Sequence, residues 1–327
     1  MARKPVTGGS LDFSRVRTYP LRQRRSIVQA KVFARPVASE ATVDDFLASL
    51  PDVLAARELR QLAAAMGQRH RAGRRIVLGM GAHPIKVGLS PLIIDWMQRG
   101  ILGGIALNGA AIIHDFELAF CGRTSEDVGA SLADGRFGMA AETGEFLNQA
   151  IRNAQIGEGC GQAVGRAMVA AGLPNLPLSV LATAYRLGVP ATVHVAIGTD
   201  IIHMHPSADG AAIGEASLRD FHRFTEVVAG LRGGVFLNLG SAVLIPEVFV
   251  KALNLARNLG ARVDDLITVD MDFIRHYRPQ MNVLRRPTEG SGRGVQLTGH
   301  HEIMFPLLCA ALNAQLAAPP RRRRTLR

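Results

Sequence analysis

Lys86, His114 and Asp200 are the residues whose type and setting could do chemistry. Lysine is scarce: only Lys4, Lys31, Lys86 and Lys251 occur, against 34 arginines. Lys86 follows the glycine-rich turn Gly79-Met80-Gly81-Ala82-His83. There a desolvated amine loses its proton readily and could form an imine, although a surface or phosphate-facing charge is the plainer role. His114 comes after a second small-residue turn, Asn108-Gly109-Ala110-Ala111, and with Asp115 and Glu117 it reads as opening a helix. Carboxylates are favoured at that end of the dipole, so capping accounts for Asp115. It does not account for His114, which becomes the candidate for moving protons. His194, Asp200, His203 and His205 fall within twelve residues. Imidazoles and a carboxylate at alternate strand positions could converge on an ion. Asp200 at the carboxyl end of a strand, holding a ribose hydroxyl or an amine, is the more economical reading, and no residue is assigned to a metal.

The elements that must position these groups alternate. Ile76-Val77-Leu78 and Ile101 to Leu107 are short apolar runs bounded by glycines, and Leu89 to Arg99 between them has helical spacing, which makes a βαβ unit. Helical patterns cover 41–70, with Thr42 as N-cap, then 138–153, 157–171 and 177–187, and a strand is expected at 191–197. Alternation resumes with a helix at 217–231, a strand at 234–239, a helix at 245–259 and a strand at 266–269. The segment 275–299, with Pro279 and Pro287 and several glycines, reads as a long loop, and 302–316 as a closing helix. Strands separated by helices argue a Rossmann-like, doubly wound parallel sheet in one large α/β domain over 41–317. A basic arm (1–40) precedes it and a basic disordered tail (318–327) follows. Glycine turns at the carboxyl ends of parallel strands are where such sheets bind ligands.

Composition narrows the partners. No apolar run approaches the roughly 20 residues of a membrane helix, and the basic N-terminus lacks the apolar segment of a secretory signal. A soluble, cytoplasmic protein is expected. Cys121, Cys160 and Cys309 have no metal or redox spacing and read as thiols of a reducing compartment. The net charge of +11 is concentrated at the ends, +8 in residues 1–35 and +5 in 321–327, which leaves the rest at −2. With no nucleic-acid module present, a nucleic-acid partner is not expected.

Several motifs in order give the chain a likeness. Val77-Leu78-Gly79 with its polar turn, Asn108-Gly109-Ala110-Ala111, Pro190 to Thr199-Asp200, Leu239-Gly240-Ser241, and Arg286-Pro287 through Phe305-Pro306-Leu307-Leu308 follow one another over about 74–316. In these the chain resembles the deoxyhypusine synthase family. The resemblance implies bound NAD, a homotetramer of paired dimers with sites at subunit interfaces, and aminobutyl transfer from spermidine to a protein lysine. It also implies a cofactor region comprising Gly79, Gly81, Ala82, His83, Asn108, Gly109, Asp200, Gly240, Ser241, Val269, Asp270, Gly299 and His300, with Glu289 matching the family in kind and place.

The departures concern the chemistry. Where the family has its imine-forming lysine after a Trp-Gly pair, this chain has Arg293-Gly294-Val295. The family's substrate histidine is missing after Ser241, and its acidic polyamine run is replaced by Ile274-Arg275-His276-Tyr277-Arg278. Like charges ~4 Å apart repel by about 4 kcal/mol at an effective dielectric near 20, so arginines there disfavour a polyamine. They face solvent or a neighbouring subunit, or they clamp a carboxylate or phosphate. The expected function is therefore a deoxyhypusine-synthase-like, NAD-binding enzyme rather than a deoxyhypusine synthase itself. It would transfer an alkyl or aminoalkyl group from, or oxidise, an amine or a carboxylate-bearing, amino-acid-like substrate. His114 would move protons, Glu289 and Asp200 would orient substrate or ribose, and Lys86 would be the covalent partner. A catalytically silent nucleotide- or partner-binding protein is the alternative, and a metal-dependent hydrolase built on His203 and His205 the third reading. A structural check on these readings is whether His83, Asn108, Asp200 and His300 line one crevice.

Overall fold

Segments buried on both faces of a sheet must be apolar nearly throughout, and the short apolar runs do form strands. They are Ile76–Met80 (β1), Leu102–Asn108 (β2), Ala191–His194 (β3), Val235–Leu239 (β4), Leu266–Asp272 (β5) and Gly292–Thr298 (β6). The computed structural model describes residues 11–317; the first ten residues of the basic arm and the basic tail expected at 318–327 lie outside the described residues. The strands pair in the order β3-β2-β1-β4-β5-β6, every neighbouring pair parallel. This is the doubly wound order, which reverses between β1 and β4.

The helices are Val43–Ser49 (α1), Leu54–Arg71 (α2), the single turn His83–Lys86 (α3), Ser90–Gln98 (α4), Gly109–Cys121 (α5), Val128–Leu132 (α6), Ala141–Arg152 (α7), Cys160–Ala171 (α8), Val180–Leu187 (α9), Gly210–Ala229 (α10), Leu244–Asn258 (α11), the turn Tyr277–Pro279 (α12) and His301–Ala317 (α13). They cover both faces of the sheet. Val77 and Phe236 pack with Phe224 of α10 and Phe249 of α11, the Phe236 and Phe249 rings stacking at 3.7 Å. Leu78, Leu237 and Val269 join a larger core with Ile112 of α5, Trp96 of α4 and Phe305 of α13. Trp96 is fully buried, 5.0 Å from the Phe305 ring. Among the described residues no helix is long and apolar enough to cross a membrane.

Several sequence expectations need correction. The strand expected over 191–197 ends at His194, and the helix expected over 217–231 runs from Gly210 to Ala229. The helix expected over 41–70 is two, α1 and α2, divided at Pro51, although Thr42 does cap α1 in a reciprocal box with Asp45. His114 does not open a helix: α5 begins at Gly109, capped by Asn108, and His114 lies in its second turn. The strand expected to stop at Val269 runs on to Asp272. The loop expected at 275–299 contains α12, further helical turns over Gln280–Arg285 and Arg286–Thr288, and the whole of β6. Arm residues 11–40 are exposed almost throughout and form three isolated turns.

Candidate functional site

The carboxyl ends of the strands gather most of the expected residues, but as two separate groups. The first surrounds a pocket of about 270 Å³ whose lining includes Lys86, His114, Glu117, Glu126, Thr199 and Asp200. α5 supplies His114 and Glu117, three residues apart and so on one helical face. Glu117 Oε1 accepts from Thr143 Oγ1 at 3.2 Å. Its Oε2 accepts the hydroxyl proton of Thr124, whose oxygen lies 2.7 Å from His114 Nδ1. Since the Thr124 proton is given to Glu117, His114 Nδ1 must donate and Nε2 keeps its lone pair. Burial, followed by the neighbouring ammonium of Lys86, pushes His114 down to about 4. The ring is therefore a neutral base at physiological pH, with its acceptor nitrogen fixed. Lys86 itself is exposed.

Asp200 closes the other wall. Its carboxylate lies against Gly109, where a Cβ would overlap it, so glycine is required at the start of α5. Burial raises its pKa, and Oδ2 has no hydrogen-bond partner among the described residues. Asn108 Oδ1, by contrast, is used in accepting from Ala111 N at 3.1 Å.

The second group lies outside the lining of that pocket. His83 Nδ1 is 2.8 Å from His301 Nδ1, and His301 Nε2 is 3.6 Å from Asp272 Oδ1. Phe273 lies beside both rings, and His300, largely exposed, stacks on Phe273 at 6.2 Å. Of His83, Asn108, Asp200 and His300, only Asp200 lines the first pocket, so the four do not share one crevice.

Protein fills the space beside several expected cofactor positions. A side chain at Gly79 would meet Ile245 and Phe236, and one at Gly81 would meet the Gly240 carbonyl. Ala82 caps α3, its carbonyl accepting from Ile85 N and Lys86 N. Gly240 has a φ of +64° and lies under the His301 ring, while Ser241 Oγ accepts from Ile245 N at the start of α11. Val269 is core. Asp270 is bound by Asn238 Nδ2 at 2.7 Å and Gln296 Nε2 at 2.8 Å. Gly299 N donates to Asp272 O at 3.0 Å.

Glu289 is not brought to the site. It precedes β6 and therefore lies at the amino edge of the sheet, ~20 Å from the carboxyl edge by strand length, exposed and 3.6 Å from Arg285. The arginines of this region have protein partners. Arg278 lies 3.3 Å from Glu247, Arg293 meets Glu58 and Arg286 donates to Asn282. Val295 is buried in β6. Of the histidine cluster, His203 Nδ1 accepts from Gly198 N and His205 Nδ1 meets Ser207. Among the described residues no three His, Cys, Asp or Glu side chains are placed to share an ion. Asp115 caps not its own helix but α9, accepting from Val180 N at 2.7 Å, Leu181 N at 3.1 Å and Ser179 Oγ at 2.6 Å.

Sequence reasoning missed Thr124 and Asp272. Glu117 three residues after His114 was a usable signal, but nothing local connects Thr124 to them. Asp272 was hidden by ending β5 too early.

The strand order and the groups at its carboxyl edge define a Rossmann-type, doubly wound α/β protein. No family model matches the chain, and no curated protein matches it in sequence. Solved structures do match in fold. Unliganded AgrE has a TM-score of 0.52 at 13% identity, over 85% of this chain and 34% of AgrE. ArgZ, an arginine dihydrolase from the ornithine-ammonia cycle in cyanobacteria, gives 0.50 at 16%, over 80% of this chain and 33% of ArgZ. A protein assigned as a deoxyhypusine synthase in Entamoeba histolytica gives 0.50 at 11% identity, over 86% of this chain and 96% of that protein. This chain thus spans about a third of AgrE and ArgZ. At these identities the relationship, including that to deoxyhypusine synthase, is one of fold.

Proposed function

We propose that the chain is an enzyme that binds a nicotinamide dinucleotide at the carboxyl ends of β1 to β3 and acts on an amine or amino acid in the pocket of Lys86, His114 and Asp200. The observation that carries this reading is a buried carboxylate whose Oδ2 makes no hydrogen bond among the described residues, His203 Nε2 lying 4.0 Å away, in one pocket with an imidazole held as a neutral base. The residues fit the ribose part of such a cofactor. An acceptor at the β2–β3 edge, over a glycine that leaves it room, suits a ribose hydroxyl, with Thr199 beside it. The β1 turn offers a phosphate less, because Gly81 faces Gly240 and Pro84 has no N–H. The pocket of about 270 Å³ takes part of a dinucleotide together with a small substrate, not a whole dinucleotide. AgrE, whose fold the chain shares, was solved with ornithine and NAD+, a precedent for this pairing.

When bound, the dinucleotide would accept hydride from a carbon bearing nitrogen. The chain's own residues do the rest. His114 Nε2 accepts a hydrogen bond from the substrate nitrogen and orients it, and Glu117 and Thr124 hold the ring in the orientation that allows it. Three carboxylates, Glu117, Glu126 and Asp200, favour an ammonium in the pocket, while Lys86 at its margin pairs with a substrate carboxylate. Alkyl or aminoalkyl transfer from the same substrate belongs to this reading, as does the assembly into paired dimers.

Calorimetric titration with NAD+ and NADH into the millimolar range tests the proposal. Saturable binding is expected, weakened about 10-fold, which is ~1.4 kcal/mol, by Asp200→Asn. Absence of saturable binding to both nucleotides would sink it. The fluorescence of Trp96 is no substitute, because the indole is buried against Phe305. Lys86 is tested separately by Lys86→Met and Lys86→Arg. A charge-pairing role leaves the arginine variant active, whereas an imine role abolishes both.

A further inference from the structure

Outside that pocket, four titratable groups stand in line at the carboxyl ends of β1, β5 and β6. His276 Nε2 lies 3.9 Å from Asp272 Oδ2, Asp272 Oδ1 lies 3.6 Å from His301 Nε2, and His301 Nδ1 lies 2.8 Å from His83 Nδ1. Asp272 and His301 are buried, and His83 is half-buried. The His301 ring sits against Gly240 at the end of β4, so the line crosses the point where the strand order reverses. That is where doubly wound sheets place a ligand.

Two imidazole nitrogens at hydrogen-bond distance hold one proton between them. Burial, the largest influence, lowers the pKa of His301, so that ring is neutral and carries a single N–H. A lone pair on Nε2 would point at the Asp272 carboxylate and be repelled, whereas a proton there is attracted. The Met271 carbonyl favours a proton on the ring as well. The proton of His301 therefore sits on Nε2, and its Nδ1 accepts. His83 Nδ1 must be the donor. His83 Nε2 is then the one nitrogen of the pair that can gain and lose a proton without breaking the contact between the rings.

We propose that Asp272, His301 and His83 form a proton relay whose working atom is His83 Nε2, an acid–base centre at the strand-order reversal that serves a ligand group with an exchangeable N–H or O–H. In the forward step the ligand's N–H or O–H bond breaks and its electron pair stays on the ligand. The proton passes to His83 Nε2, and the imidazolium keeps its Nδ1–H on His301. The positive charge faces the Asp272 carboxylate through His301, as an imidazolium faces its carboxylate in a catalytic triad. His83 is the catalytic residue, and His301 and Asp272 are positioning residues. Other charged or titratable groups near the relay are His276 beside Asp272, the Asp270 carboxylate that repels Asp272, Glu302 next to His301, and His300, whose ring stacks on Phe273. None of the relay residues lines the pocket of His114, so the relay does not depend on the nucleotide reading.

Long-range 1H–15N correlation spectra of the full chain with labelled histidine, recorded without ligand, test it directly. At about pH 8, where histidine is ordinarily neutral, His301 is expected as the Nε2–H tautomer and His83 as the Nδ1–H tautomer. In Asp272→Asn, which removes the charge that holds the His301 proton on Nε2, the Nδ1–H tautomer of His301 should become populated. A His301 proton found on Nδ1 of the wild-type protein overturns the relay, as does an unchanged His301 tautomer in a folded Asp272→Asn protein. Should that variant not fold, the wild-type tautomers decide the matter alone.

Discussion

His114 and His194 show what a buried imidazole does to this chain. Burial holds them at about 4 and about 3, both below the ordinary value near 6.5 that the unfolded chain would show. A depressed folded value means that stability is fully present above the unfolded value and is lost as the pH falls through the folded one. For His114, only 15% exposed, the loss is on the order of 3 kcal/mol, spread from about pH 6.5 to about pH 4. Denaturant titrations across that range should show a steep acid limb. His194→Gln removes one titrating ring, and between about pH 6.5 and 4 it should reduce the slope by about 1.4 kcal/mol per pH unit. An acid limb of unchanged slope in that variant would mean that His194 is not held neutral. Gly109 is the other residue whose identity follows from its neighbour. Gly109→Ala places a methyl on the Asp200 carboxylate, so nucleotide affinity should fall at least as far as in Asp200→Asn, with a lower Tm.

At the scale of elements, α9 is started by a residue from elsewhere in the fold. Asp115 of α5 accepts two backbone N–H groups at the start of α9 and the Ser179 hydroxyl. Asp115→Ala should therefore cost about 3 kcal/mol, read as a shift of the urea midpoint. The sequence showed the acid, but the assumption that a helix began beside it assigned its bonds to the wrong helix. Elements built from apolar runs were legible, as β1, β2 and β4 show, because a strand covered on both faces has nothing polar to confuse the pattern. β6 was not legible. It is an edge strand in which only Val295 and Leu297 are buried, and Arg293, Gly294 and Gln296 between and before them read as loop. The end of β5 was lost for a different reason: Asp270 and Asp272 are acids inside a strand, Asp270 bound by Asn238 and Gln296 of the neighbouring strands and Asp272 facing His301 of α13, partners that no local pattern reveals. The pocket was half legible. Turn glycines pointed to Lys86, His114 and Asp200, whereas Thr124 joins them only through a loop whose path sequence does not give.

The whole molecule consists of a closed α/β body and an open arm. Phe13, Tyr19, Leu21, Ile27 and Val28 are exposed, and the arm meets the body through Val32 and Arg35, which bond to Asp52 and Ser49. Deleting residues up to 29 should leave the Tm within about 2 °C, since so little apolar surface returns to water. If the paired-dimer expectation holds, sedimentation velocity will show the full chain as an oligomer. Retention of that oligomer after the deletion would assign assembly to the body instead of the arm.

One turn of helix, α3, carries both His83 of the histidine line and Lys86 of the pocket. Its backbone bonds run from Lys86 N to the Ala82 carbonyl and from Val87 N to the His83 carbonyl, so a shift of the turn at Lys86 carries His83 with it. Occupancy of the pocket and the protonation of His83 are then thermodynamically linked. Whatever binds beside Lys86 biases proton exchange at His83, and by reciprocity a change in the proton held at His83 changes the affinity beside Lys86 by the same factor.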